Sequence, residues 1–316
     1  MNSSPPKPKE GAEQLLRRVE WTVLRRLDGL LQGDYRTLLR GTGMDLADLR
    51  EYQHHDDVRH IDWNLTARLQ QPHVRVFTED REMSAWFLLD LSPSMDFGSG
   101  QQIKRSISGD FVGALASVLT RHGNRVGAML YGAGVDKVIP ARSGRKHVLD
   151  LLHTLQNRPA TAPTGPTRLH ELLETAARQI RRRSTIFVVS DFISEAGWEK
   201  PLGMLAQRHE VVAVRLLDPL ELELPDLGLI PMLDVETGEH LMVDTHDAGF
   251  RKRFAQIAAQ RETALRQSLM RAGVDTLELA TDGDLVTSLM RFTDLRKQRS
   301  RAAAGKRLPA HLKLAA

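Results

Sequence analysis

Two nearly unbroken apolar runs constrain this chain more than any other feature. Ala85-Trp-Phe-Leu-Leu89 stops at Asp90, and Thr185-Ile-Phe-Val-Val-Ser190 stops at Asp191. Runs without polar alternation describe strands buried on both faces, the habit of parallel sheets covered by helices. Between them, Ile103, Ile107, Phe111, Leu115 and Val118 keep one apolar stripe through Arg121, as a covering helix would.

The rest of the chain continues the alternation. Arg125–Tyr131 reads as a strand with Val135–Pro140 as its hairpin mate. Helices are expected at Arg145–Leu155 and from Leu169 to about Arg182, then near 196–207. A strand at Glu210–Leu217, a long helix Ala248–Met270, a strand Val274–Leu279 and a helix near Asp284–Phe292 follow. This order predicts an α/β fold with a doubly wound, mostly parallel, Rossmann-like sheet. The segment at about 219–245 interrupts it. Leu220-Glu-Leu-Glu-Leu224 alternates with period two and Glu236-Thr-Gly-Glu239 is a turn, which predicts a β-hairpin insertion there.

Upstream, residues 1–12 are rich in Pro and Lys and are expected to be disordered. Leu15, Leu16, Val19, Val23, Leu24, Leu27 and Leu31 predict an amphipathic helix over Ala12–Leu31. Val74–Phe77 reads as a short strand, so residues 13–83 form an α+β extension before a main domain at 84–292. Residues 293–316 form a basic tail.

Ligands of open α/β sheets sit beyond the carboxyl ends of the strands. At the end of the first apolar run stand Asp90, Ser92 and Ser94, one carboxylate and two hydroxyls spaced by two. As the chain turns, three such hard oxygens can converge on a small cation that keeps open positions. A Ser-Pro turn beside a solvated aspartate would use the same residues. Asp191 ends the second run in the same way, and Thr167 precedes a helix in a Gly-Pro-Thr loop, with Thr161 and Thr164 nearby. Taken singly, Asp191 could face solvent and Thr167 could be an ordinary helix cap.

In this order the five residues resemble the metal-ion-dependent adhesion site of the von Willebrand factor A-type domain. That resemblance implies that Asp90, Ser92, Ser94 and Thr167 ligate Mg2+ (or Mn2+) directly or through water. It implies that Asp191 acts through water and that an acidic residue of a protein partner completes the shell. Upstream, Arg50-Glu-Tyr52, Asp56-Asp57-Val-Arg59-His-Ile61-Asp62-Trp63 and Thr66-Ala-Arg68 resemble the signature of the bacterial domain-of-unknown-function family 58. His55 stands where that family's signature has Gly. This second resemblance implies an adaptor or chaperone-like partner of a MoxR-type AAA+ ATPase. Asp56, Asp57, Asp62, Arg59 and Arg68 could form a polar network, with Trp63 as an apolar anchor. A second metal site from His54, His55 and His60 is the alternative, though no recognised ligand spacing is present.

Composition narrows the rest. The absence of cysteine excludes disulfides, zinc–thiolate sites and cysteine nucleophiles. No window reaches about eighteen apolar residues, so no membrane span is expected and the default location is the cytoplasm. The chain is expected not to be an enzyme. It lacks a phosphate-cradling Gly-rich loop with Lys and a Gly-x-Ser-x-Gly elbow. A metal-dependent hydrolase with Asp96 or His122 as base remains the alternative. A net charge of +4 is mild, and only three Tyr are present. Sequence-specific nucleic-acid recognition is therefore not expected, although the basic tail and Arg181-Arg182-Arg183, read as a helix end, supply the motive for it.

Overall fold

The computed structural model describes residues 12–19, 49–53, 58, 61, 63–75, 84–100, 102–159, 165–233 and 240–305. Two units are distinguished, one from residues 1–39 and 83–316, the other from 40–82. Residues 1–11, 20–48, 54–57, 59–60, 62, 76–83, 101, 160–164, 234–239 and 306–316 lie outside the described set. With them go the expected disordered start, most of the first helix, the histidine cluster and the end of the tail.

In chain order the elements are α1 (Ala12–Val19), β1 (Leu49–Glu51), α2 (Trp63–Leu69), β2 (His73–Arg75), β3 (Ser84–Asp90), α3 (Lys104–Arg121), β4 (Arg125–Tyr131) and β5 (Val135–Arg142). Then come α4 (Arg145–Gln156), α5 (Leu169–Gln179), β6 (Thr185–Ser190), α6 (Glu199–Arg208), β7 (Glu210–Leu217), β8 (Leu229–Leu233), β9 (His240–Asp244), α7 (Ala248–Ala272), β10 (Asp275–Ala280) and α8 (Leu285–Gly305).

The larger unit is built on a six-stranded sheet in the order β10-β7-β6-β3-β4-β5. Every pairing is parallel except β4 with β5 at one edge, so the expected α/β class holds. From β3 the chain winds outwards to β4 and β5, then returns to place β6 on the other side. The winding therefore reverses between β3 and β6, which is where open sheets form a crevice.

Each central strand sends alternate residues to two cores. Phe87 and Leu89 of β3 and Phe187 and Val189 of β6 face one side with Phe111 of α3. The rings of Phe87 and Phe187 stack at 5.3 Å, and Phe111 meets them edge-on at 6.1 and 5.9 Å. Leu88, Ile186 and Val188 face the other side, with Leu172, Leu173, Trp198 and Leu202. α1 packs on α3 and α4, and its Leu16 is buried in the first of these cores.

The structure corrects several expected elements. Residues 220–224 are not a strand: Pro219–Glu221 form a 3-10 turn capped by Asp218. The expected hairpin insertion is present within 219–245, with β8 pairing antiparallel with β9. The period-two pattern lost to Pro219, which fixes its own φ and donates no backbone hydrogen bond. Helix α5 ends at Gln179 because Ile180 turns extended into the core. Arg181-Arg182-Arg183 are thus exposed beyond the helix rather than forming its end. α8 extends well past Phe292 into the segment expected as tail.

In the smaller unit, β1 and β2 pair antiparallel, and Thr66 of α2 accepts a bond from the His73 amide at 3.1 Å. Trp63, expected as an anchor, is instead 70% exposed.

Candidate functional site

Asp90 is the last residue of β3 and Asp191 follows the last residue of β6, so the winding reversal puts both at one crevice. Both are buried, as are Ser92, Ser94 and Thr167. After Asp90 the chain turns at once. The Ser92 amide donates to Asp90 Oδ1 at 2.9 Å, and Pro93 starts a 3-10 turn. Ser92 stands at the cap position of that turn but makes no side-chain capping bond. Its hydroxyl lies 3.2 Å from that of Ser94 instead.

Asp90 Oδ2 accepts from Ser190 Oγ at 2.7 Å. Burial and the neighbouring Asp191 raise its pKa from 3.8 to about 6, against the lowering effect of the Ser190 and Ser92 bonds. No basic group forms an ion pair with Asp90 among the described residues. Arg105 is nearby, but its guanidinium pairs with Asp96 at 2.8 Å and donates to the Leu91 carbonyl at 3.2 Å.

Asp191 is held differently. Its Oδ1 accepts the Ile193 amide at 2.9 Å and its Oδ2 accepts Lys104 Nζ at 2.6 Å. The next residue, Phe192, has φ of +60°, a left-handed backbone that costs a non-glycine residue about 1 kcal/mol. The Ser190 hydroxyl, which accepts the Phe192 amide at 2.9 Å, and the packing of Phe192 on Trp198 hold this turn. Thr167 is tied by its backbone to the loop after Asp191. Its carbonyl accepts Ser194 Oγ at 2.8 Å and the Glu195 amide at 2.9 Å, stitching its loop to the one after Asp191.

Three residues of the crevice escaped the sequence reading. Lys104, at the start of α3, reaches Asp191 and also Glu221 Oε1 at 2.6 Å. Asp218 follows β7 and accepts from Ser99 N and Oγ, Leu220 N and Thr281 Oγ1. Asp218 carried the signal that picked out Asp90 and Asp191, an aspartate closing an apolar strand. Nothing in the local sequence marks Lys104 or Glu221.

The groups considered for hydrolysis are engaged elsewhere. Asp96 pairs with Arg105, and the His122 ring bonds the Val118 carbonyl. His122 also follows the far end of an 18-residue helix, roughly 25 Å from Lys104. In the expected tail, Arg296 pairs with Glu210 and Asp275, and Arg299 pairs with Asp275. Among the described residues, no group of three His, Cys, Asp or Glu could hold a metal, and no helix is long and apolar enough to cross a membrane. A cation at this crevice would draw on oxygens other than carboxylates, such as hydroxyls, carbonyls or water.

Comparison with known proteins decides the family. Residues 48–264 match the family described as "Protein of unknown function DUF58". The chain belongs to that family. It is 36% identical over 284 residues to the uncharacterized protein Rv1480 of Mycobacterium tuberculosis (strain ATCC 25618 / H37Rv), covering 90% of this chain and 89% of that protein. Among solved structures it is similar to BatB from Bacteroides thetaiotaomicron at 16% identity and a TM-score of 0.43, covering 69% of this chain and 99% of that one. It is also similar to the SpRpn10 VWA domain at 15% identity and a TM-score of 0.38, covering 66% and 94%. The strand order, not these distant likenesses, establishes the α/β architecture of this DUF58 protein.

Proposed function

We propose that this DUF58 protein is a divalent-cation-dependent protein-binding module, with Mg2+ or Mn2+ held beyond the end of β3. The observation that carries this reading is Asp90, fully buried without an ion-pair partner among the described residues, beside two hydroxyls 3.2 Å apart. Adjacent ligands of an octahedral ion of this size stand about 3 Å apart, so Ser92 and Ser94 suit neighbouring positions. An oxygen-only set favours magnesium or manganese over zinc or copper.

Asp90, Ser92 and Ser94 would hold the ion, with Thr167 beside them. Asp191 would act through water, since one of its oxygens is already paired with the Lys104 ammonium. Bound there, the ion supplies a positive charge that an acidic side chain of a partner can complete. The protein's own residues do the positioning. Ser190 and the Ser92 amide aim the Asp90 carboxylate, and the strained Phe192 turn places Asp191 beside it. The partner we propose is an AAA+ ATPase of MoxR type, for which this chain would serve as adaptor or chaperone-like companion in the cytoplasm.

The test is retention of a purified MoxR-type ATPase on immobilised wild-type protein and on Asp90→Ala, in magnesium and in EDTA. Retention by wild type alone, and only with magnesium, is the expected result. Equal retention in all four conditions would sink the cation-dependent reading.

A further inference from the structure

Lys104 is the one cation within ion-pair distance of the five-residue set among the described residues. Its side chain is fully buried, and its ammonium lies 2.6 Å from both Asp191 Oδ2 and Glu221 Oε1. We infer that Lys104 is a built-in competitor of the divalent ion, setting how tightly the crevice binds it by occupying Asp191. This inference rests on the cation reading above and concerns how strongly that site is filled.

The geometry fixes Lys104 from both ends. Its amide donates to the Phe97 carbonyl at 3.0 Å, closing the loop that leads into α3. That loop doubles back so closely that a side chain on Gly98 would collide with the Gln102 carbonyl. At the other end, Glu221 Oε2 accepts the Asp218 amide at 3.0 Å, and Asp218 is anchored by its four donors. The ammonium is thus held in place rather than swinging in from solvent. The Phe97 ring, its centroid 5.9 Å from Nζ, lies alongside.

Two consequences follow from charge alone. An ammonium fixed against Asp191 repels an incoming divalent ion and satisfies the carboxylate that would otherwise attract it. The Ile193 amide takes one acceptor site on its other oxygen, so Asp191 has less left to offer an ion. The site is therefore tuned towards weak binding of the free ion.

The experiment is calorimetric titration of Mg2+ and Mn2+ into the full chain as wild type, Asp90→Ala, Lys104→Met and Lys104→Gln, with thermal unfolding at each ion concentration. Lys104→Met should bind the ion at least tenfold more tightly than wild type and show a larger ion-dependent rise in Tm. Lys104→Gln keeps a donor towards Asp191 without the charge, and should also bind more tightly if the methionine variant does not fold. Unchanged or weaker affinity in a folded Lys104 variant would overturn the inference. Binding by wild type but not by Asp90→Ala would in that case leave the cation reading standing. No ion binding by any of the four proteins would remove both.

Discussion

Asp90 and Asp218 sit at the same edge of the same sheet, each closing a strand and each fully buried, yet their chemistry is opposite. Asp218 accepts four donors, from Ser99 twice, Leu220 and Thr281, and its pKa lies below the usual carboxylate value despite the opposing effect of burial. Asp90 accepts two, from the Ser92 amide and the Ser190 hydroxyl, and faces another acid, so burial pushes it up to about 6. Burial by itself therefore does not set the direction in which an aspartate's pKa moves. The difference lies in how many donors the fold aims at each, because hydrogen bonds to the charged form are what stabilise it away from water.

The sharpest way to break this comparison is to remove each carboxylate in turn. Asp218→Ala strands four donors and should cost about 3 to 5 kcal/mol in urea unfolding at pH 7. Asp90→Ala, in EDTA, strands two donors but also relieves a buried charge without an ion pair, and should change stability by no more than about 1 kcal/mol. Equal losses would show that the two aspartates play the same structural part.

The pH dependence should also run in opposite directions. With a folded pKa near 6 against 3.8 unfolded, folded Asp90 holds its proton where the unfolded chain has lost it. It thus lowers stability as pH rises from about 4 to about 6, by an amount on the order of 3 kcal/mol. Asp218, with a depressed pKa, contributes stability above the usual carboxylate range and loses it as pH falls through its own folded value. Urea midpoints in EDTA between pH 4 and 7 should show Asp90→Asn gaining on wild type as pH rises. Parallel curves would remove the electrostatic distinction.

A cation should sharpen the contrast by acting on one aspartate alone. Magnesium at a hundredfold excess over its dissociation constant should stabilise wild type by about 2.7 kcal/mol and leave Asp90→Ala unmoved. The smallest effect expected is that of Ser190→Ala, about 1 kcal/mol in the same unfolding assay. It takes one donor from Asp90 and the acceptor from the Phe192 amide, while leaving the four donors of Asp218 in place.

Much of this architecture was legible in the residues. Apolar runs at 85–89 and 185–190 predicted the buried parallel strands, and strands closing on Asp90 and Asp191 marked the end of the sheet where the crevice lies. Local pattern failed where a stronger local constraint competed with it. Leu220–Leu224 alternates like a strand, but Pro219 and the Asp218 cap make it a turn. The arginines at 181–183 look like a helix end, but Ile180 leaves the helix to fill the core.

Sequence alone determined the fold class, the family and the oxygen-rich strand ends, because these depend on periodicity and on residue types within short windows. Only the tertiary structure decided how many donors reach each aspartate. The donors to Asp218 come from positions 99, 220 and 281, Ser190 lies a hundred residues from Asp90, and Lys104 reaches Asp191 and Glu221 across 87 and 117 residues. Hydrogen bonds and ion pairs act over about 3 Å, and no linear pattern records which distant groups the folded chain brings that close.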